Sequence, residues 1–166
     1  MMCPLYSPGL WMIVLTIWLA GMAFPHPAVA AGVDPYVTRY LRVTEPIALP
    51  LNDQGQTRLF SPADLSVGKR LFGQNCQTCH VGGTTLPNPQ VSLSLADLRG
   101  AMPARDRIDP LVAYFRQPMT YDGREVADWC RSVPESWMSQ AEVENLAAFV
   151  LKAAQSAPGW GTETFE

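Results

Sequence analysis

Five consecutive residues, Cys76-Gln77-Thr78-Cys79-His80, constrain this chain more than any other stretch. Two cysteines three positions apart lie about one helical turn apart, so both thiols point to one side, and an imidazole follows directly. That spacing suits two thioether bonds to the vinyl groups of a haem, with His80 carried under the porphyrin as the proximal ligand of iron. Three rival uses fit less well. A thioredoxin-like dithiol belongs at a strand-to-helix junction of a βαβ unit, and no such pattern precedes Cys76. A zinc site from Cys76, Cys79, His80 and Cys130 has the right atoms, but neighbours such as Cys79 and His80 rarely close on one tetrahedral ion. A Cys76–Cys79 disulfide closes too small a loop to add much stability and leaves His80 unexplained. The expectation is one covalently attached haem c, bound through Cys76 and Cys79, with His80 on iron.

The rest of the chain is read around that motif. The 166 residues carry 12 Lys+Arg against 15 Asp+Glu, a net charge of -3 without the basic excess that attracts nucleic acid, so no nucleic-acid partner is expected. Residues 1–30 contain no charged side chain. The run from Leu10 to Phe24 is almost wholly apolar, about the length of a signal-peptide core and short of the roughly 20 residues that span a bilayer. It is followed by Pro25, Pro27 and the small-x-small site Ala28-Val29-Ala30, although no Lys or Arg precedes Arg39. Export with cleavage before Ala31 is expected. Cleavage removes Cys3 and His26, leaving three cysteines and one histidine in residues 31–166.

A small mostly helical domain is predicted. Between Val37 and Phe60, β-branched and apolar residues flank the turn-rich Asn52-Asp53-Gln54-Gly55, which suggests a small β-hairpin. Ser61-Pro62-Ala63-Asp64 is a helix start, and that helix should run to about Cys76, with Leu65, Gly68 and Phe72 on its inner face. Ser94 begins a short capped helix. Ile108, Leu111, Val112 and Phe115 repeat at helical spacing up to Pro118, and Ser139-x-x-Glu142 is a capping box opening a last helix that stops before Pro158-Gly159. Val81 to Gln90 has loop composition.

An iron held on both faces by protein shuttles electrons, whereas an open face binds gases or activates peroxide. With no second histidine after cleavage, bis-histidine ligation is excluded by counting. The candidates are Met102, Met119, Met138 and Cys130. Each methionine is by default a core filler. Cys130 lacks an intramolecular partner once Cys76 and Cys79 are bonded to haem, so it pairs between chains as a homodimer, stays a buried thiol, or binds iron.

Several segments resemble the cytochrome c-550 family, the extrinsic c-type cytochrome of photosystem II. They are Pro50-Leu51-Asn52 with Gly55 and Thr57, Gly68-Lys69-Arg70-Leu71-Phe72, Cys79-His80-Val81-Gly82-Gly83, Arg105-Asp106 with Ile108, Leu111-Val112 and Tyr114, Pro118 with Thr120-Tyr121-Asp122-Gly123, and Trp160-Gly161. The resemblance implies a class I cytochrome c fold with a small N-terminal β-hairpin, its first and last helices crossing beside the haem. The division of the chain is then residues 1–30 as signal peptide and residues 31–166 as a single cytochrome c domain. The family's distal histidine lies about ten residues beyond its Tyr-Asp-Gly stretch, and here Cys130 stands nine beyond Tyr121. Through the resemblance, Cys130 is the first candidate for the sixth ligand, Met119 the second, and an open or water-bound site the third.

A thiolate on iron favours the ferric state and lowers the reduction potential. Reduction should then protonate or release Cys130, because ferrous iron holds a thiolate less well. Three functions are consistent with these residues. The first is a low-potential electron carrier, not an enzyme, in the thylakoid lumen, peripheral on the lumenal membrane side, with photosystem II or a soluble redox protein as partner. The second, implied by the resemblance, is a structural extrinsic subunit that helps photosystem II retain the inorganic cofactors of oxygen evolution. The third is a gas or redox sensor in which Cys130 gives way to a ligand. Arg105, Arg107 and Tyr121 are candidate haem propionate partners, and Trp129 and Trp137 either flank the distal pocket or belong to the core.

Overall fold

A capping box sets the start of each of the two longest helices. Ser61 accepts from the Asp64 amide at 3.1 Å, while the Asp64 carboxylate accepts from the Ser61 amide at 2.8 Å; Ser139 and Glu142 repeat the exchange. In the computed structural model, which describes residues 32–85 and 91–162, the elements follow in simple order. They are α1 (Pro35–Arg39), β1 (Ile47–Pro50), β2 (Thr57–Phe60), α2 (Pro62–Asn75), a 3-10 turn (Val81–Gly83), α3 (Leu95–Gly100), α4 (Ile108–Arg116) and α5 (Gln140–Ser156). The signal peptide read in residues 1–30 lies outside the described residues. No helix among the described residues is long and apolar enough to cross a membrane.

The hairpin forms as predicted, with Ile47 opposite Phe60 and Pro50 opposite Thr57 in an antiparallel pair. Its turn is pinned by the Leu51 amide donating to the Gln56 carbonyl at 2.7 Å and by Gly55 at φ +75°, a region that disfavours any side chain. The upstream boundary needs correction. Val37 belongs to α1, not to the β-rich run, because Asp34 accepts from the Tyr36 amide at 2.8 Å and Pro35 presets the first turn. The salt bridge from Lys69 to Asp34 at 2.8 Å then fastens α1 to α2.

Helices α2 and α5 cross where Gly68 meets Asn145. A Cβ at Gly68 would stand 2.0 Å from the Asn145 carbonyl oxygen and 2.8 Å from Phe149 Cβ, so only glycine permits this approach. One turn on, the rings of Phe72 and Phe149 lie 5.5 Å apart, and Trp160 packs on both at 5.3 and 5.9 Å. Val143, Leu146, Ala147, Val150 and Leu151 of α5 are buried against Leu65, Leu71, Ile108 and Leu111. Each of these valine, leucine and isoleucine side chains contributes about 1.5–3 kcal/mol by leaving water. The architecture is mostly helical with one small two-stranded sheet, as the sequence led us to expect.

Candidate functional site

The motif cysteines emerge from the end of α2. Cys76 is its C-cap, donating its amide to the Phe72 carbonyl, and the next turn is closed by the amides of Cys79 and His80 donating to the Cys76 carbonyl at 3.1 and 2.9 Å. His80 thus hangs one turn below the helix, and the Thr84 carbonyl lies 3.1 Å from its Nδ1. A carbonyl only accepts, so Nδ1 carries the proton and Nε2 keeps its lone pair. The Thr85 hydroxyl, which donates to the Val91 carbonyl, lies at 3.1 Å from the same Nδ1. Burial holds the imidazole below its ordinary pKa, with the Thr84 carbonyl opposing.

The loop below is closed from the far end of the chain. Trp160 donates its indole N–H to the Leu93 carbonyl at 2.9 Å and the Gly161 amide donates to the Gly82 carbonyl at 2.8 Å. Gly83, at φ +81°, lies under the Trp160 ring, where a Cβ would come within 2.5 Å of it.

A second segment brings in Cys130. After α4, the Ala127 amide donates to the Pro118 carbonyl at 3.0 Å and the Val133 amide to the Phe115 carbonyl at 2.8 Å. These bonds and the burial of Ala127 and Val133 pin both feet of an arch whose crown carries Trp129 and Cys130. Arg116 locks its downstream foot by donating to the carbonyls of Val133 and Met138 at 2.8 and 2.9 Å.

Between the motif and the arch lies a cavity of about 370 Å³, bordered by Cys76, Cys79, His80, Met119, Tyr121 and Cys130 and walled by Leu98, Leu111, Phe115, Val133, Leu146 and Val150. No disulfide joins any of Cys76, Cys79 and Cys130. Burial, then Cys130, then Cys79 push the Cys76 thiol up to about 12, so in this cavity it stays protonated. Among the described residues no three His, Cys, Asp or Glu side chains group closely enough to hold a metal ion between them. Two thiols, an imidazole with a free nitrogen and a further sulfur spread around an apolar cleft are instead the donor set and walls that a flat tetrapyrrole requires.

The cavity sorts the sequence candidates. Met119 and Cys130 border it; Met102 is 65% exposed elsewhere and Met138 is buried core. Trp129 and Trp137 are 56% and 37% exposed at its rim, not in the core. Arg107 turns away to Asp53 at 2.7 Å. Arg105, by contrast, is buried in the wall, donating to the carbonyls of Met119 and Thr120 at 3.1 and 2.7 Å, with its guanidinium 3.9 Å above the Tyr114 ring. Burial lowers the Arg105 pKa, while Tyr114, Cys130 and Tyr121 oppose. Tyr114 is raised well above a phenol's usual value, by burial first and then by the charge and hydrogen bonding of Cys130. Sequence reasoning missed Tyr114, Thr84 and Thr85 as site residues; Arg105 and Tyr114, nine apart, carried no signal of meeting.

The cytochrome c-550 domain model matches residues 41–166. The chain belongs to the cytochrome c-550 family. A cytochrome c-550-like protein of Thermosynechococcus vestitus is 50% identical over 97% of both chains. The photosystem II extrinsic protein V of Gloeobacter violaceus is 53% identical over 82% of this chain and 74% of its own length. In three dimensions, the PsbV2 cytochrome of Thermosynechococcus elongatus superposes with a TM-score of 0.78 at 57% identity, covering 79% of this chain and all of that one. The cytochrome c-550 family implies a haem, which the cavity described above suits.

Proposed function

We propose that this cytochrome c-550 family member is a low-potential, monohaem electron carrier of the thylakoid lumen, exported by cleavage of residues 1–30 and peripheral to the lumenal membrane face. One haem c would be attached at Cys76 and Cys79, each thiol adding its sulfur to one vinyl carbon and its proton to the other, so that nothing is oxidised. The haem supplies an iron that cycles between ferric and ferrous states. His80 presents Nε2 because the Thr84 carbonyl holds the proton on Nδ1. Cys130 would be the second protein ligand to that iron. The observation that carries this reading is the convergence of Cys130 with Cys76, Cys79 and His80 on one apolar cavity, by way of an arch pinned at both feet. An anionic sulfur on iron favours the ferric state and sets the potential low.

The test is the electron paramagnetic resonance and visible spectrum of the ferric protein beside Cys130→Ala. A low-spin thiolate signature in the native protein, lost in the variant, is the expected result. A spectrum unchanged by the substitution would return Cys130 to the wall and make Met119 the ligand to test.

A second reading rests on the 53% identity to a protein named for photosystem II. In it the chain docks on the lumenal surface of photosystem II as a structural subunit. Stoichiometric recovery with purified photosystem II favours docking, and recovery only in soluble fractions favours a diffusing carrier.

A further inference from the structure

Arg105 is a buried cation that the fold leaves without an anion. Its amide donates to the Leu98 carbonyl at 2.7 Å, which fixes the residue between α3 and α4. It is 8% exposed, and a guanidinium keeps its charge at any ordinary pH. Nη2 donates to the carbonyls of Met119 and Thr120, and the group lies 3.9 Å from the centre of the Tyr114 ring. These partners are all neutral, and Nε and Nη1 donate to no described residue. No carboxylate pairs with Arg105 among the described residues. Neutral acceptors offset only part of the cost of taking a charge out of water, and the rest is recovered from an anion close by. The cavity that Arg105 lines supplies none. Asp97 is the carboxylate on its wall among the described residues, and it already accepts from the Ser92 hydroxyl at 2.5 Å and the Ser92 amide at 3.2 Å. Cys130, the other group there suited to carry negative charge, is committed to iron in the reading above. The missing anion therefore belongs to whatever fills the cavity, and a haem brings two propionate carboxylates.

We infer that Arg105 is the binding residue for one haem propionate, its unpartnered N–H groups donating to the carboxylate while Nη2 keeps the carbonyls of Met119 and Thr120. A carboxylate beside a guanidinium gains both charge attraction and charge-assisted hydrogen bonds, which are strongest where water is excluded. The same side chain ties the cofactor to the segment that leads into the arch, because Met119 and Thr120 lie just before it. Arg107, the neighbouring arginine, has its charge answered by Asp53 and does not line the cavity. The inference rests on a haem occupying the cavity, and not on which sulfur faces its iron.

The test is a cycle of two chains and two cofactors. Native protein and Arg105→Gln are each loaded with haem and with haem dimethyl ester, in which both propionates are capped, and covalent loading is read from the visible spectrum. Denaturant unfolding then gives the folded-to-unfolded ratio of all four. With haem, Arg105→Gln should lower that ratio at least about tenfold more than it does with the ester, because only the acid form offers the arginine an anion. An equal loss with both cofactors would overturn the inference, by showing that Arg105 braces the Met119 and Thr120 carbonyls or answers another charge such as the Cys130 sulfur. No loss with haem would overturn it as well. A second measurement needs no variant: in the diamagnetic ferrous carbon monoxide form of the native protein, the Arg105 Nε proton should give a through-space nuclear magnetic resonance cross-peak to propionate methylene protons. Absence of that peak, with the Arg105 to Tyr114 cross-peak present, would overturn the inference alone. A native chain that takes up no haem would overturn both the inference and the cofactor reading beneath it.

Discussion

The proton on His80 is placed by the chain itself. Because the Thr84 carbonyl can only accept, the imidazole tautomer is fixed before any iron is present, and the Thr85 hydroxyl is a second partner at the same nitrogen. Thr85→Val should therefore leave the ferric resonance spectrum as it is and cost about 1 kcal/mol of stability, read by thermal denaturation, through the lost bond to the Val91 carbonyl. At this scale the sequence was legible wherever the chemistry was local. Cys76, Cys79 and His80 stand out by spacing, whereas Cys130, left open by counting cysteines, is ranked first only through the family resemblance. Tyr114 and Arg105 do not stand out as a pair, because their meeting depends on α4 folding back over the loop after α3, and nothing within nine residues of sequence encodes that.

Among the elements, the crossing of α2 and α5 tolerates the least change. Gly68→Ala places a methyl group against the Asn145 carbonyl, which is backbone and has no rotamer to yield. The helices must part there, and overpacking of this kind costs about 1–3 kcal/mol. The expected readout is a lower denaturant midpoint with an unchanged slope, and a midpoint equal to the native one would contradict this account of the crossing. Gly68 was readable as a site of close approach because it falls on the inner face between Leu65 and Phe72. The capping boxes at Ser61 and Ser139 were readable for a similar reason: side-chain and backbone chemistry four residues long suffices to define them. Helix α1 was not, although Asp34-Pro35 carries the same kind of start signal as Ser61-Pro62. Five residues are too few to show a helical period, and its stability comes from contacts with Ser66 and Lys69, more than thirty positions away.

For the whole molecule, the cavity is a structural demand as well as a site. Walls from α2, α4, α5 and the arch meet around a largely apolar space of about 370 Å³, into which a flat apolar group fits. With haem withheld, the chain should keep much of its far-ultraviolet helical signal while losing near-ultraviolet circular dichroism and a sharp thermal transition. A cooperative transition of native sharpness in the haem-free chain would show that the core stands without it. The bonds from Trp160 and Gly161 to Leu93 and Gly82 bear on the order in which the molecule is made. The loop that orients His80 is completed by residues about eighty positions later, so it reaches its final shape only after the last helix has been synthesised and has folded back. During translation the cysteines are presented long before their histidine is held in place, and a covalent bond formed early would wait on the chain's closing residues for its iron geometry.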